Sequence, residues 1–90
     1  MVYLISYTLH KPGQDYTDLH GAIKAISGTW WHHTTSVWLV ETSMSAKQIF
    51  DALSRYIDAN DDLMVFRLQG DWQGKLADAT NYNWLRARQF

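Results

Sequence analysis

Met1-Val-Tyr-Leu-Ile-Ser-Tyr-Thr-Leu-His10-Lys-Pro-Gly-Gln-Asp15 is the stretch that decides the fold. Val2, Leu4, Ser6 and Thr8 alternate with Tyr3, Ile5, Tyr7 and Leu9, and both sets begin apolar. A strand over 2–9 is therefore predicted to be covered on both faces, because a one-sided strand would alternate apolar with polar. Helices are expected to supply one cover, and a second subunit or the C-terminal tail the other. Pro12 presets φ and Gly13 tolerates the opposite sign, so the strand should end in a tight turn by His10 or Lys11.

Working outward, Asp15 reads as an N-cap, with Asp18 in a first turn that favours negative charge. Leu19, Ala22, Ile23 and Ile26 follow at helical spacing, predicting a helix over 16–27 stopped by Gly28. Its other face (Thr17, His20, Gly21, Lys24) reads as solvated. Residues 29–34 and 37–42, rich in Trp, Val and Thr, read as an antiparallel hairpin turning near Thr34, Thr35 and Ser36. Ser45-Ala-Lys-Gln48 has the pattern of a capping box. The helix after it should present Ile49, Leu53, Tyr56 and Ile57, widened by Phe50, and close at Asn60, Asp61 and Asp62. Residues 63–69 read as a fourth strand, and a short helix is expected near 82–88. Strand, helix, strand, strand, helix, strand is the α+β, ferredoxin-like βαββαβ order: a four-stranded antiparallel sheet with two helices on one face and a C-terminal helical tail. One domain spans 1–90, its core about 1–70 and its tail about 71–90.

Ninety residues bury only about two thirds of their unfolded surface, so dimerisation is expected to help stabilise so small a chain. Five Trp, five Tyr and three Phe suit cores and subunit interfaces alike. Eight Lys plus Arg against nine Asp plus Glu leave a formal charge of −1, so no general basic field draws in phosphate backbones. There is no cysteine, which excludes disulfides, thiolate metal sites and a cysteine nucleophile. Residues 1–9 lack the pattern of a secretory leader, and no run is long enough to span a bilayer, so a cytoplasmic protein without membrane contact is expected.

Chemistry is sparsely signalled. His32 and His33 are adjacent on a strand and point to opposite faces, and His10 and His20 have no ligand spacing; no metal site is expected. Among the carboxylates, Asp15 and Asp18 read as helix-cap residues and Asp58, Asp61 and Asp62 as helix-end and turn residues. Asp71, just after the fourth strand, is the catalytic candidate. Around Trp30, Trp31 and Trp38 the nearest charges are Lys24 and Glu41, which favours packing over base stacking. Lys75, Arg86 and Arg88 form the one basic cluster. Candidate binding residues are Tyr7, Thr8, His10, Arg86 and Arg88, and candidate interface residues are Trp30, Trp38 and Trp84.

The combination Tyr3-Leu-Ile-Ser-Tyr7, the run His10-Lys-Pro-Gly-Gln-Asp-Tyr16, the block Trp30-Trp-His32 and the stretch Ser36-Val-Trp-Leu-Val40 resembles a family of small bacterial and phage proteins related to the small CRISPR-associated adaptation protein. It resembles the virulence-associated protein D ribonucleases more distantly. The likeness runs from residue 1 to about 84. It implies a ferredoxin-like fold that dimerises through its sheets, with C-terminal segments contacting the partner. In the nuclease relatives an aspartate ends the first strand directly after the tyrosine, and two copies across the dimer axis approach one divalent metal. Here that position is Thr8, and a neutral hydroxyl replaces the oxygen anion that Mg²⁺ prefers. The expected function is accordingly a non-catalytic, homodimeric binding or scaffold protein acting on nucleic acid or a protein partner. One alternative is a nuclease of the same fold using Mg²⁺ or Mn²⁺; the other is a small-molecule or protein-binding regulator with a cleft between residues 10–15 and the tail.

Overall fold

A computed structural model describes residues 1–9, 17–34, 36–70 and 82–88. The elements run β1 (Val2–Thr8), α1 (Thr17–Ile26), β2 (Trp30–Thr34), β3 (Val37–Glu41), α2 (Ala46–Ser54), β4 (Asp62–Arg67) and α3 (Tyr82–Arg86). The sheet order is β2-β3-β1-β4, antiparallel throughout. The four-stranded antiparallel sheet is the one expected from the element order; β1 lies inside it and pairs with β4, which forms one edge. The expected caps and turn at His10, Pro12, Gly13 and Asp15 lie outside the described residues.

The two apolar sets of β1 explain the layering. Tyr3, Ile5 and Tyr7 face α1 and α2 and join Leu19, Ile23, Trp38, Val40, Ile49, Leu53 and Leu63 in the main core. Val2 and Leu4 face the other way, where Leu39, Trp31 and Leu68 meet Leu85 and Trp84 of α3. The tail therefore covers part of the second sheet face, as one of the two covers expected from β1. Burying a Leu or Ile fully contributes about 1.5–3 kcal/mol, so the smaller cluster matters for a chain of this size.

Backbone hydrogen bonds alternate along β1. Tyr7 donates to the Ser36 carbonyl at 3.2 Å and Met1 accepts from Thr42 at 2.9 Å, whereas Val2 accepts from Leu68 at 2.9 Å. Odd residues of β1 thus bond to β3 and even residues to β4, the alternation of an antiparallel ladder. In the β2–β3 hairpin, Trp30↔Val40 and Trp31↔Leu39 are followed by Thr34↔Val37. The slip of one residue is a bulge in β2.

The capping box of α2 is complete: the Gln48 amide donates to Ser45 Oγ at 3.1 Å, and the Ser45 amide donates to Gln48 Oε1 at 2.9 Å. Three expectations are corrected. The helix ends at Ser54 rather than near Asn60, because Tyr56 N–H bonds back three residues to Leu53 at 3.0 Å, a tighter turn than α. That turn brings Ile57 against the core but leaves Tyr56, like Phe50, exposed. On α1, His20 is not solvated; it is half-buried against Tyr7 and Trp38. Among the described residues no helix is long and apolar enough to cross a membrane.

Candidate functional site

The last residue of β1 is Thr8, one of the candidate binding residues. Thr8 is exposed there, on the sheet face away from α1 and α2, and its cross-strand partner is Asp62, the first residue of β4. A carboxylate does therefore stand beside the Thr8 position, contributed by the neighbouring strand. Asp62, expected at a helix end or turn, is instead the first residue of β4. Finding it needed the β1–β4 register, which depends on the length of the turn after α2 and leaves no local trace in the sequence. Among the described residues no three His, Asp or Glu side chains converge as a metal would require.

One residue earlier, Tyr7 points to the opposite face and is 1% exposed. Its hydroxyl lies 2.8 Å from His20 Nε2, and Trp38 Nε1–H donates to the same oxygen at 3.4 Å. Indole can only donate, so Tyr7 Oη accepts from Trp38 and directs its own proton to His20 when that Nε2 is unprotonated. Trp38 forms the floor of the cluster: His32 stacks on it with centroids 3.9 Å apart at 13°, and His20 and Trp30 approach it at 5.2 Å each. Lys24, one helical turn after His20, lies 5.0 Å from the Trp30 ring centroid.

Two elements thus run side by side over Trp38. His20 and Lys24 on α1 meet His32 and Trp30 on β2, with the two imidazole centroids 5.4 Å apart. No ligand spacing along the chain links His20 and His32, and the connection from α1 to β2 brings them together. Trp38, expected at a subunit interface, is instead 1% exposed in the core. Its large ring fills the space between α1 and the β2–β3 hairpin and offers nothing to a second chain. Trp30 remains at the surface, with 36% of it exposed.

At the far end of the sheet, Arg88 Nη1 donates to Glu41 Oε1 at 3.0 Å, its Nε donates to the Trp84 carbonyl at 3.4 Å, and its guanidinium lies 4.9 Å from the Trp84 ring. Arg88 and Trp84, expected to meet a ligand and a partner, fasten α3 to β3 of the same chain. Arg86 is exposed. His10, Lys75 and Asp71 lie outside the described residues.

Along β4 the character of the surface changes. Met64 and Phe66, on the same face as Thr8, are 53% and 49% exposed. Beneath the edge, between α2 and β4, lies an open groove of about 650 Å³ lined by Phe50, Ile57, Leu63, Met64, Asp58 and Asp61. It joins apolar walls to an acidic end. In comparisons with known proteins, no family model, no curated protein and no solved structure matches the chain.

Proposed function

We propose that the chain is a non-catalytic binding or scaffold protein that works as a homodimer and offers an apolar sheet surface to a protein partner. The observation that carries this reading is the pair Met64 and Phe66, two large apolar side chains about half exposed on the part of the sheet face next to α3. Such side chains, contiguous on a sheet, are characteristic of association surfaces. Of the basic cluster, Arg88 is engaged by Glu41, which lessens the case for phosphate contacts. The resemblance to the small adaptation proteins supports a dimeric binding role in the same direction.

A test combines sedimentation of the purified chain with titration of labelled single- and double-stranded nucleic acid across a salt series. Concentration-dependent dimers and weak, salt-insensitive nucleic-acid binding are expected. A steep fall of tight nucleic-acid binding with salt would reassign the partner to nucleic acid, since released counterions produce that slope.

Asp62 beside Thr8 favours one second reading, a metal-dependent nuclease of this fold. The residues present fit it poorly: one carboxylate and one hydroxyl per chain give an Mg²⁺ or Mn²⁺ ion few anionic oxygens. RNA and DNA cleavage assays with either ion, on the natural chain and on Asp62→Asn, separate the readings. No cleavage is expected; cleavage abolished by Asp62→Asn would establish the nuclease.

A further inference from the structure

The two edges of the sheet differ in how they are protected. β2 has five residues and carries the bulge between Trp31 and Thr34, a feature that twists an edge away from further pairing. β4 has six residues, Asp62-Leu-Met-Val-Phe-Arg67, in unbroken register with β1 and with no Pro, Gly or Lys. Among the described residues no strand pairs with its outer side.

The hydrogen-bond phase fixes what that outer side presents. Leu68 donates to Val2, so Phe66, Met64 and Asp62 also bond inward to β1. The N–H and C=O groups of Leu63, Val65 and Arg67 consequently point outward. We infer that β4 is a self-pairing edge: two copies join antiparallel about a two-fold axis at Val65, continuing the sheet across the dimer. This rests on the homodimer of the proposed function and specifies its interface.

Residues facing each other across an antiparallel pair share a sheet face, so the outward groups allow only registers that match odd residues with odd. Centring on Val65 uses all three: Val65 meets its own copy, and Leu63 meets Arg67 in both directions. Met64 then stands opposite Phe66 of the second copy, twice, in the closer non-hydrogen-bonded positions. The four apolar side chains then stand side by side as one strip on the sheet face, shielding one another's flanks and widening the surface that the dimer offers to its protein partner.

Charge selects the same arrangement. In the antiparallel pair each Arg67 enters on the helix side beside Leu63 of the other copy, at the groove whose acidic end holds Asp58 and Asp61. Among the described residues no ion pair engages Arg67 within its own chain. A parallel pairing would instead set acidic end against acidic end, and like charges facing each other destabilise a pair.

The test is sedimentation equilibrium of the full chain and of two variants. Val65→Pro removes an outward N–H that β1 does not use, a substitution edge strands tolerate. Arg67→Glu places like charge at the partner's acidic groove. Circular dichroism and thermal melts confirm that each variant folds. A mass of two chains for the natural protein, with self-association weakened about tenfold or more in both variants, is expected. A dimer that persists undiminished in both folded variants would overturn the β4 edge while leaving the homodimer standing, and a natural chain that stays monomeric at every concentration would overturn both.

The register has its own readout, because the chain contains no cysteine. Mixed Met64→Cys and Phe66→Cys chains should oxidise to crosslinked heterodimers, their Cα atoms lying about 4.5 Å apart. Met64→Cys alone should not crosslink. The reverse pattern would overturn the two-fold at Val65.

Discussion

Tyr7 and Thr8 are neighbours in sequence with opposite environments, since successive strand residues point to opposite sheet faces. Tyr7 places a hydroxyl in the core and must keep it bonded there; His20 and Trp38 do so. Tyr7→Phe keeps the ring and strips the oxygen, leaving both partners without that bond, and should cost about 1–3 kcal/mol. Urea unfolding should show a lower midpoint with an unchanged slope, the sign of altered stability without altered exposed surface. On the opposite face, Thr8→Asp would set a carboxylate directly across from Asp62. Like charges in facing positions should destabilise the chain by roughly 0.2–1 kcal/mol, read as a lower melting temperature. Neither environment could be assigned from the sequence, because alternation says that Tyr7 and Thr8 face apart and not which face meets the helices.

At the scale of elements, what could be read from the sequence was what is written locally. Ser45 and Gln48 carry their meaning in three residues, and the complete capping box follows. Ser45→Ala should therefore cost about 1 kcal/mol in thermal or urea unfolding. Lys47→Ala, which removes only an exposed bridge to Asp51, should cost well under half of that. The apolar alternation of β1 likewise foretold two covered faces and, through the element order, the antiparallel sheet. What stayed hidden depends on tertiary placement: where α2 stops, which helical face His20 occupies, and how β4 registers on β1. Helical spacing put His20 on the polar side of α1, yet the side chain leans onto Trp38, a residue from a different element. Aromatic content invited interface roles for Trp30, Trp38 and Trp84 together. Trp38 became core because β3 lies second from the edge, under α1, which no local pattern in residues 37–42 records.

For the whole molecule, the decisive arrangement is one sheet between two unequal covers. α1 and α2 bury the larger cluster, and α3 buries only the part around Val2 and Leu39, with the Arg88–Glu41 pair holding it in place. A chain this small has little stability in reserve, and one or two kcal/mol is a large fraction of the total. Leu85 of α3 is buried, in contact with the Val2 and Leu39 cluster. Leu85→Ala should cost about 2–5 kcal/mol, the range for buried Leu truncations. Arg88→Ala should cost less, because a partly exposed ion pair is screened by solvent. If the tail acts as a structural cover, Leu85→Ala should also raise the binding of a dye specific for exposed apolar surface before the main core unfolds. Should Leu85→Ala melt like the natural chain with no added dye binding, the cover over the second sheet face would have to come from elsewhere, a second subunit being the first candidate.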